Sequence, residues 1–408
     1  MASTATFEYA VRDRSGSIVT GKIEADSPAA VASKLKSMGY APVKISEVKS
    51  GGLAMEISLP KIGSKVKLKE LAVFSRQFST MINAGLSMLR ALSILEEQQP
   101  NKFFAGVLTE VRLEVESGSA LSISMAKRPD VFPPLMVNMI RAGEVGGFLD
   151  KVLTQIADNY EAEVALRGKV KSAMTYPVVV LIMAIVMTIG MLLFIVPTFA
   201  GLFTQLGGTL PAPTQILVTL SNFLKVAIVP LIVLSIVGAV VWGRIKHTER
   251  VREFIDPLKL KVPIFGQLFR KIALARFCRN LGTMLSSGVP ILQSLDIVAD
   301  TSGNVVVAHA VRDVQESVRN GESLTEPLSK HDIFPPMVTQ MLAVGEDTGA
   351  LDNMLHKISD FYDQEVEATT EQLTALIEPL MIAVLGGIVG SMIVALYMPI
   401  FKIFDLIK

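Results

Sequence analysis

The side chains best equipped for chemistry are few and far apart in this chain. His247, His309, His331 and His356 occur singly, with no HExxH pair and none of the close ligand spacing a protein-bound metal needs. Serine and aspartate residues form no recognisable nucleophile motif. Cys278 is the only cysteine, which excludes an internal disulfide and a multi-thiolate metal site, and it reads as an inert helix residue. The stretch GSIVTGKI approaches a phosphate-loop pattern, but Ile23 stands where a metal-binding Ser or Thr is required, and the stretch falls in a predicted hairpin. Catalysis is therefore not expected, nor is any cofactor or metal. The polar signal that recurs is an acid set between glycines: Glu144 in MIRAGEVGGFLDKVL and Glu346 in MLAVGEDTGALDNML. Gly143 and Gly345 are placed to end the preceding helix in a left-handed conformation, while Gly147 and Gly349 restart the chain into the next. Between them the carboxylate is placed to accept from the free N–H groups that open that next helix. A structural turn is the favoured reading, and direct binding of an ion or partner is the second.

Such a turn needs helices on both sides, and composition says where they run. The 408 residues are 50% hydrophobic and 19% charged, with mean hydropathy +0.47, too apolar for an ordinary soluble protein. Three runs are long enough to cross about 30 Å of hydrocarbon: Tyr176 to Phe199, Val226 to Trp242 extended by PTQILVTLSNFLK, and Glu378 to Phe401. The start of the chain has no apolar core of the cleaved-signal type, so the N-terminus is expected to stay in the cytosol. Arg167, Lys169 and Lys171 precede the first run, and Arg244, Lys246, Arg250 and Arg252 follow the second. The loop between them carries no basic residue and is expected outside. A net charge of +1 offers no global surface for nucleic acid.

The chain also repeats itself. LAVFSRQFSTMINAGLSMLRAL, starting at Leu71, aligns with LARFCRNLGTMLSSGVPILQSL, starting at Leu274, at a constant offset of 203 residues, as from Gly85 to Gly288. The match resumes at an offset of 202 through VFPPLMVNMI and IFPPMVTQML and runs on into the spans, where Pro177 matches Pro379 and Pro197 matches Pro399. Leu71, Phe74 and Phe78 share a helix face, as do Leu274, Phe277 and Leu281. Arg76 and Arg279 occupy matched positions opposite that face, suited either to an acidic partner surface or to pairing within the bundle. Gly386 and Gly390, four apart in the last span, make one face smooth enough for close helix packing, with another protein or within the chain. Glu378 opens the third span where the first has Tyr176. It either faces headgroups and water or lines a protein groove that attracts a charged group. A transporter is the rival class, because internally repeated membrane chains often carry substrates, but three spans are too few for one protomer to line a pathway.

Two helical copies with FSRQFSTMINAG, FPPLMVNMIRAGEVGG and FYDQEV, and a last span reading EPLMIAVLGGIVGSMIVALYMPIF, resemble the type II secretion F family over nearly the whole chain. The resemblance implies a mainly α, polytopic inner-membrane platform of type IV pilus assembly or type II secretion, with two repeated cytosolic six-helix bundles and three transmembrane helices. It also implies contacts with a cytosolic assembly or retraction ATPase, with pilin or pseudopilin subunits, with inner-membrane alignment proteins and with further copies of the chain. The expected partition begins with a small N-terminal ββαβ module over 1–49 and a linker over 50–68. It continues with a first bundle over 69–172, spans over 173–199 and 215–243 joined by an external loop over 200–214, and a cytosolic connector over 244–270. A second bundle over 271–373, a third span over 374–402 and an external tail over 403–408 complete it.

Overall fold

The computed structural model describes residues 5–12, 18–25, 27–37, 41–47, 66–205, 210–245, 248–263 and 265–406. Most of the expected linker lies outside them. The chain divides into two compact units, residues 1–63 and 64–408.

In the first unit β1 (Ala5–Arg12), β2 (Ile18–Ala25), α1 (Pro28–Ser37) and β3 (Ala41–Glu47) form a three-stranded sheet in the order β2-β1-β3, both pairings antiparallel, with one helix. Pro28 supplies the preset φ of a first helical turn, and the Ser27 hydroxyl accepts from the Ala30 N–H at 3.3 Å. Val31 and Leu35, one turn apart, are buried. Lys22 and Ile23 pair with Glu8 and Phe7 inside the β1–β2 ladder, so the phosphate-loop-like stretch is strand from Ile18 onward and opens no helix at Lys22.

The second unit is helical and built twice. The first copy comprises α2 (Leu68–Asn83), α3 (Met88–Gln98), α4 (Lys102–Glu116), α5 (Leu121–Ala126), α6 (Pro134–Gly146) and α7 (Leu149–Gly190). After α8 (Val196–Gln205), α9 (Ala212–Ile245) and α10 (Glu249–Lys261) come the six helices of the second copy. These are α11 (Phe265–Ser286), α12 (Ile291–Thr301), α13 (Val305–Arg319), α14 (Thr325–Ser329), α15 (Pro336–Thr348) and α16 (Leu351–Leu406). Matched residues start matched helices. The Asn101 side chain accepts from Phe103 and Phe104 N–H to cap α4, and Asn304 does the same for α13 from Val306 and Val307. Pro134 and Pro336 sit in the first turns of α6 and α15, where a missing N–H costs nothing. The cores correspond as well. Phe74, Phe78, Phe104 and Phe132 interlock in the first bundle, Phe74 and Phe104 at 5.3 Å between ring centroids, and Phe277 meets Phe334 edge-on at 5.1 Å in the second. Each such buried ring contributes about 1.5–3 kcal/mol from burial alone.

The copies differ in their surroundings. One side of α2 faces solvent, whereas α11 lies between α16 of its own bundle and α7 of the other, so Arg279 and Thr283 are buried where the matched Arg76 and Thr80 are not.

Both bundles end in rods that become membrane spans. At 1.5 Å per residue the 42 residues of α7 extend about 63 Å and the 56 of α16 about 84 Å. In the first rod a π-helical turn, Met191–Ile195, joins α7 to α8 just before Pro197. The widened turn relieves the clash a proline ring makes with the carbonyl four residues back. Among the described residues the rods and α9 are the three helices long and apolar enough to cross a membrane, and none of the most apolar window of α9 is buried. At their far ends the three helices pack together: Leu192 and Val196 meet Met392 and Leu396, with Leu217, Val218 and Leu224 of α9 alongside, and the Thr214 hydroxyl donates to the Ala395 carbonyl.

Candidate functional site

The Gly-Glu turns differ from the sequence expectation in two respects. First, Gly143 and Gly345 do not end their helices. Both lie inside, and the left-handed residues are Gly147 (φ +74°) and Gly349 (φ +68°), one turn on. The N–H of Phe148 donates to the Gly143 carbonyl at 3.0 Å and that of Ala350 to Gly345 at 2.9 Å, the six-to-one bond of a Schellman cap. Gly143 and Gly345 serve close approach instead. A Cβ on Gly143 would sit 3.1 Å from Leu149 Cα and Val152 Cβ, and one on Gly345 would sit 3.0 Å from Leu351 Cα, so only glycine lets the long helix fold back this tightly.

Second, the two carboxylates do not serve the helix that follows. Glu144 accepts from the N–H groups of Leu121 (2.6 Å) and Ser122 (3.1 Å), the amides that open α5. Glu346 accepts from the Leu324 N–H (2.8 Å) and from the Ser323 and Thr325 hydroxyls (2.8 and 3.2 Å) at the start of α14. Each acid thus caps a short helix more than twenty residues earlier. α5 and α14 are only 6 and 5 residues long, too short to satisfy their own first amides, and the carboxylate also complements the positive end of the helix. Among the described residues no group of three or more His, Cys, Asp or Glu side chains could hold a metal ion.

The matched arginines pair within the molecule. Arg76 grips Glu161 through Nε (2.8 Å) and Nη2 (2.6 Å) and also reaches Asp158, its side chain 37% exposed. Arg279 grips Asp363, the counterpart of Glu161, but is only 7% exposed. It also lies 3.8 Å from Glu163 of the first copy, which Arg276 holds at 2.6 Å. An exposed pair such as the first contributes about 0–1 kcal/mol, while removing one partner of the buried one costs about 3–5 kcal/mol. Burial pushes the Asp363 carboxyl up despite Arg279 beside it, and burial likewise raises the Cys278 thiol.

Arg279 belongs to a polar seam joining the copies. Asn159 of α7 donates to Asn280 and Thr283 of α11, both at 3.3 Å, and Gln155 donates to Ser286 at 3.1 Å and accepts from Ser287. Toward the membrane Leu166, Leu268, Val366 and Leu373 close an apolar patch, flanked by a Lys169–Glu367 pair at 2.6 Å. The two rods are thereby fastened side by side below the spans. Glu163, Asp363 and Asn159 were not singled out from the sequence. The available signal was the aligned pair NYEAEV and FYDQEV, in which an acid recurs at the position that each arginine grips.

In the spans, Glu378 faces Tyr176 and Pro177 across a small groove of about 40 Å³, otherwise lined by apolar side chains including Val180 and Met381. Among the described residues no side chain and no atom of another helix comes within 4 Å of a Cβ placed on Gly386 or Gly390, so packing among them does not explain that smooth face.

A duplicated helical bundle, each copy running through a shared seam into its own membrane-spanning rod, defines a multi-pass membrane protein. Its sequence matches the description "type II secretion system (T2SS), protein F" twice, over residues 74–197 and 277–399, and that of the N-terminal domain of the same protein over 1–46. The chain belongs to this family. It is 44% identical over 398 residues to the type IV pilus assembly protein PilC of Thermus thermophilus, covering 97% of this chain and 98% of that one. It is 42% identical to the PilC of Myxococcus xanthus, covering 98% and 95%. The type II secretion system protein F of Vibrio cholerae is 33% identical, covering 99% of this chain and 100% of that one.

Proposed function

We propose that this chain is an inner-membrane platform protein of a type IV pilus assembly machine, coupling a cytosolic assembly ATPase to insertion or extraction of pilin subunits. The higher identity to the two proteins named for pilus assembly favours this reading over the platform of a type II secretion pseudopilus. The observation that carries the coupling is the unbroken α7 and α16, through which a displacement of either bundle moves a span without loss in a flexible joint. In this reading the N-terminus and both bundles lie in the cytosol, which the basic residues around the first two spans favour. A reporter active only outside the membrane is then active near Gly208 and inactive near Gly266 or Gly321.

Coupling is tested by inserting a short Gly-Ser segment after Ser172, midway along α7. The altered protein remains inserted and still co-purifies with the ATPase, but pili are lost. Normal piliation by that variant would dismiss rigid transmission.

A further inference from the structure

We infer that the junction of the first bundle with its span is a binding site for one anionic phospholipid, its phosphate held by Arg167, Lys171 and Arg276. A cavity of about 490 Å³ opens here, lined by those three cations and by Leu166, Val170, Met174 and Ile272. No carboxylate lines it. Glu163, one turn below, is held by both Arg167 (2.7 Å) and Arg276 (2.6 Å), and Lys171 makes no ion pair among the described residues. Three cations therefore stand against one carboxylate, and two positive charges remain for a ligand. Arg279 does not alter the balance, because Asp363 takes it up.

Position and shape favour a lipid over an acidic protein segment. Lys171 is the last charged residue before the membrane, with none following until Lys225, so it lies where headgroups begin. The cavity is half apolar, and its α7 face, carrying Arg167, Lys171 and Met174, continues upward through Val178, Leu181 and Ile185, all exposed. A headgroup in the cavity would have its acyl chains along that stripe. Basic pockets beside membrane helices recognise anionic headgroups in this way. The second copy has lost the feature: Thr369 and Leu373 replace Arg167 and Lys171, and Leu373 is buried against the first rod. One site per chain is expected. The inference depends only on the helices spanning a membrane and holds whatever machine the protein serves.

The test uses the full chain in detergent, titrated with phosphatidylglycerol or with phosphatidylcholine of the same acyl chains and read by native mass spectrometry. One phosphatidylglycerol binds in preference to phosphatidylcholine. Neutralising Lys171 (Lys171→Gln) weakens it about fivefold, and adding Arg167→Gln weakens it about thirtyfold in all. Lys151→Gln, on the same helix about 30 Å away, changes nothing. Because Lys171 makes no ion pair among the described residues, its single variant is readable even if the double variant misfolds. Equal binding of the two lipids, or an unchanged preference in Lys171→Gln, overturns the proposal. So does displacement of the lipid by inorganic phosphate at about 10 mM, which would assign the cavity to the free anion.

Discussion

Replacing Glu144 with alanine isolates what the duplicated acid does. The side chain is half-buried, but the amides it serves belong to Leu121 and Ser122, which are almost wholly buried. Without the carboxylate both N–H groups lose their acceptor. An orphaned buried amide costs about 1–3 kcal/mol, and loss of a negative charge at a helix start costs about 0.3–1 kcal/mol more. Water can enter the space vacated by a half-exposed side chain, so the low end of each applies. The result is about 2 kcal/mol, or about thirtyfold in the opening equilibrium of α5. Glu144→Gln keeps one acceptor oxygen for the shorter bond to Leu121 and turns a donor toward Ser122, for about half the effect. Hydrogen exchange by mass spectrometry on the full chain in detergent reads this directly, because local opening sets the exchange of residues 121–126. Glu346→Ala must act likewise on residues 324–329 and leave 121–126 untouched. If exchange over α5 changes less than about twofold in Glu144→Ala, the carboxylate is not holding that helix and the capping argument is wrong.

Two further substitutions separate close approach from backbone strain at the same turn. Gly143→Ala drives a methyl group against Leu149 and Val152 and destabilises the α6–α7 corner by about 1–3 kcal/mol, whereas Gly147→Ala meets no atom and is penalised by about 1–2 kcal/mol for its positive φ alone. Asparagine tells them apart: it recovers much of the loss at 147 and worsens it at 143, as read by limited proteolysis of the corner. In the spans, Glu378→Gln leaves the protein inserted and abundant yet lowers pilus assembly, while Glu365→Gln leaves assembly intact; normal piliation by the first would confine Glu378 to facing headgroups.

Periodicity and spacing made much of the helical architecture legible, because helix starts and spans are written locally. The shared faces of Leu71, Phe74 and Phe78 and of Leu274, Phe277 and Leu281, and the charge-free apolar runs, are each set by residues within a few turns. What escaped is what distant packing decides. Two glycines four apart, Gly143 and Gly147, satisfy the same local rule for ending a helix, and the choice between them is made by α7 folding back onto Gly143. The partner of Glu144 lies in another helix, which no window around the GEVG stretch contains. Arg76 and Arg279 look equivalent in the repeat, and only the intrusion of α7 beside α11 buries one and leaves its twin half in water.

The seam also has a handedness of use. α11 offers Arg276, Asn280 and Thr283 to Gln155, Asn159 and Glu163 of α7, but the converse contact is not made. On α2 the matched strip, Val73, Gln77 and Thr80, is exposed, and on α16 the strip matching the α7 side has become Lys357, Phe361 and Glu365, with Lys357 and Phe361 exposed. The joint is heterologous: the α11 strip meets the α7 strip once, and the matched strips of α2 and α16 do not repeat that contact. A head-to-tail joint of this type would propagate indefinitely if the free ends still fitted one another. Lysine and phenylalanine in place of Gln155 and Asn159 remove the amide side chains of the seam from that strip, so the same hydrogen bonds cannot be made there a second time.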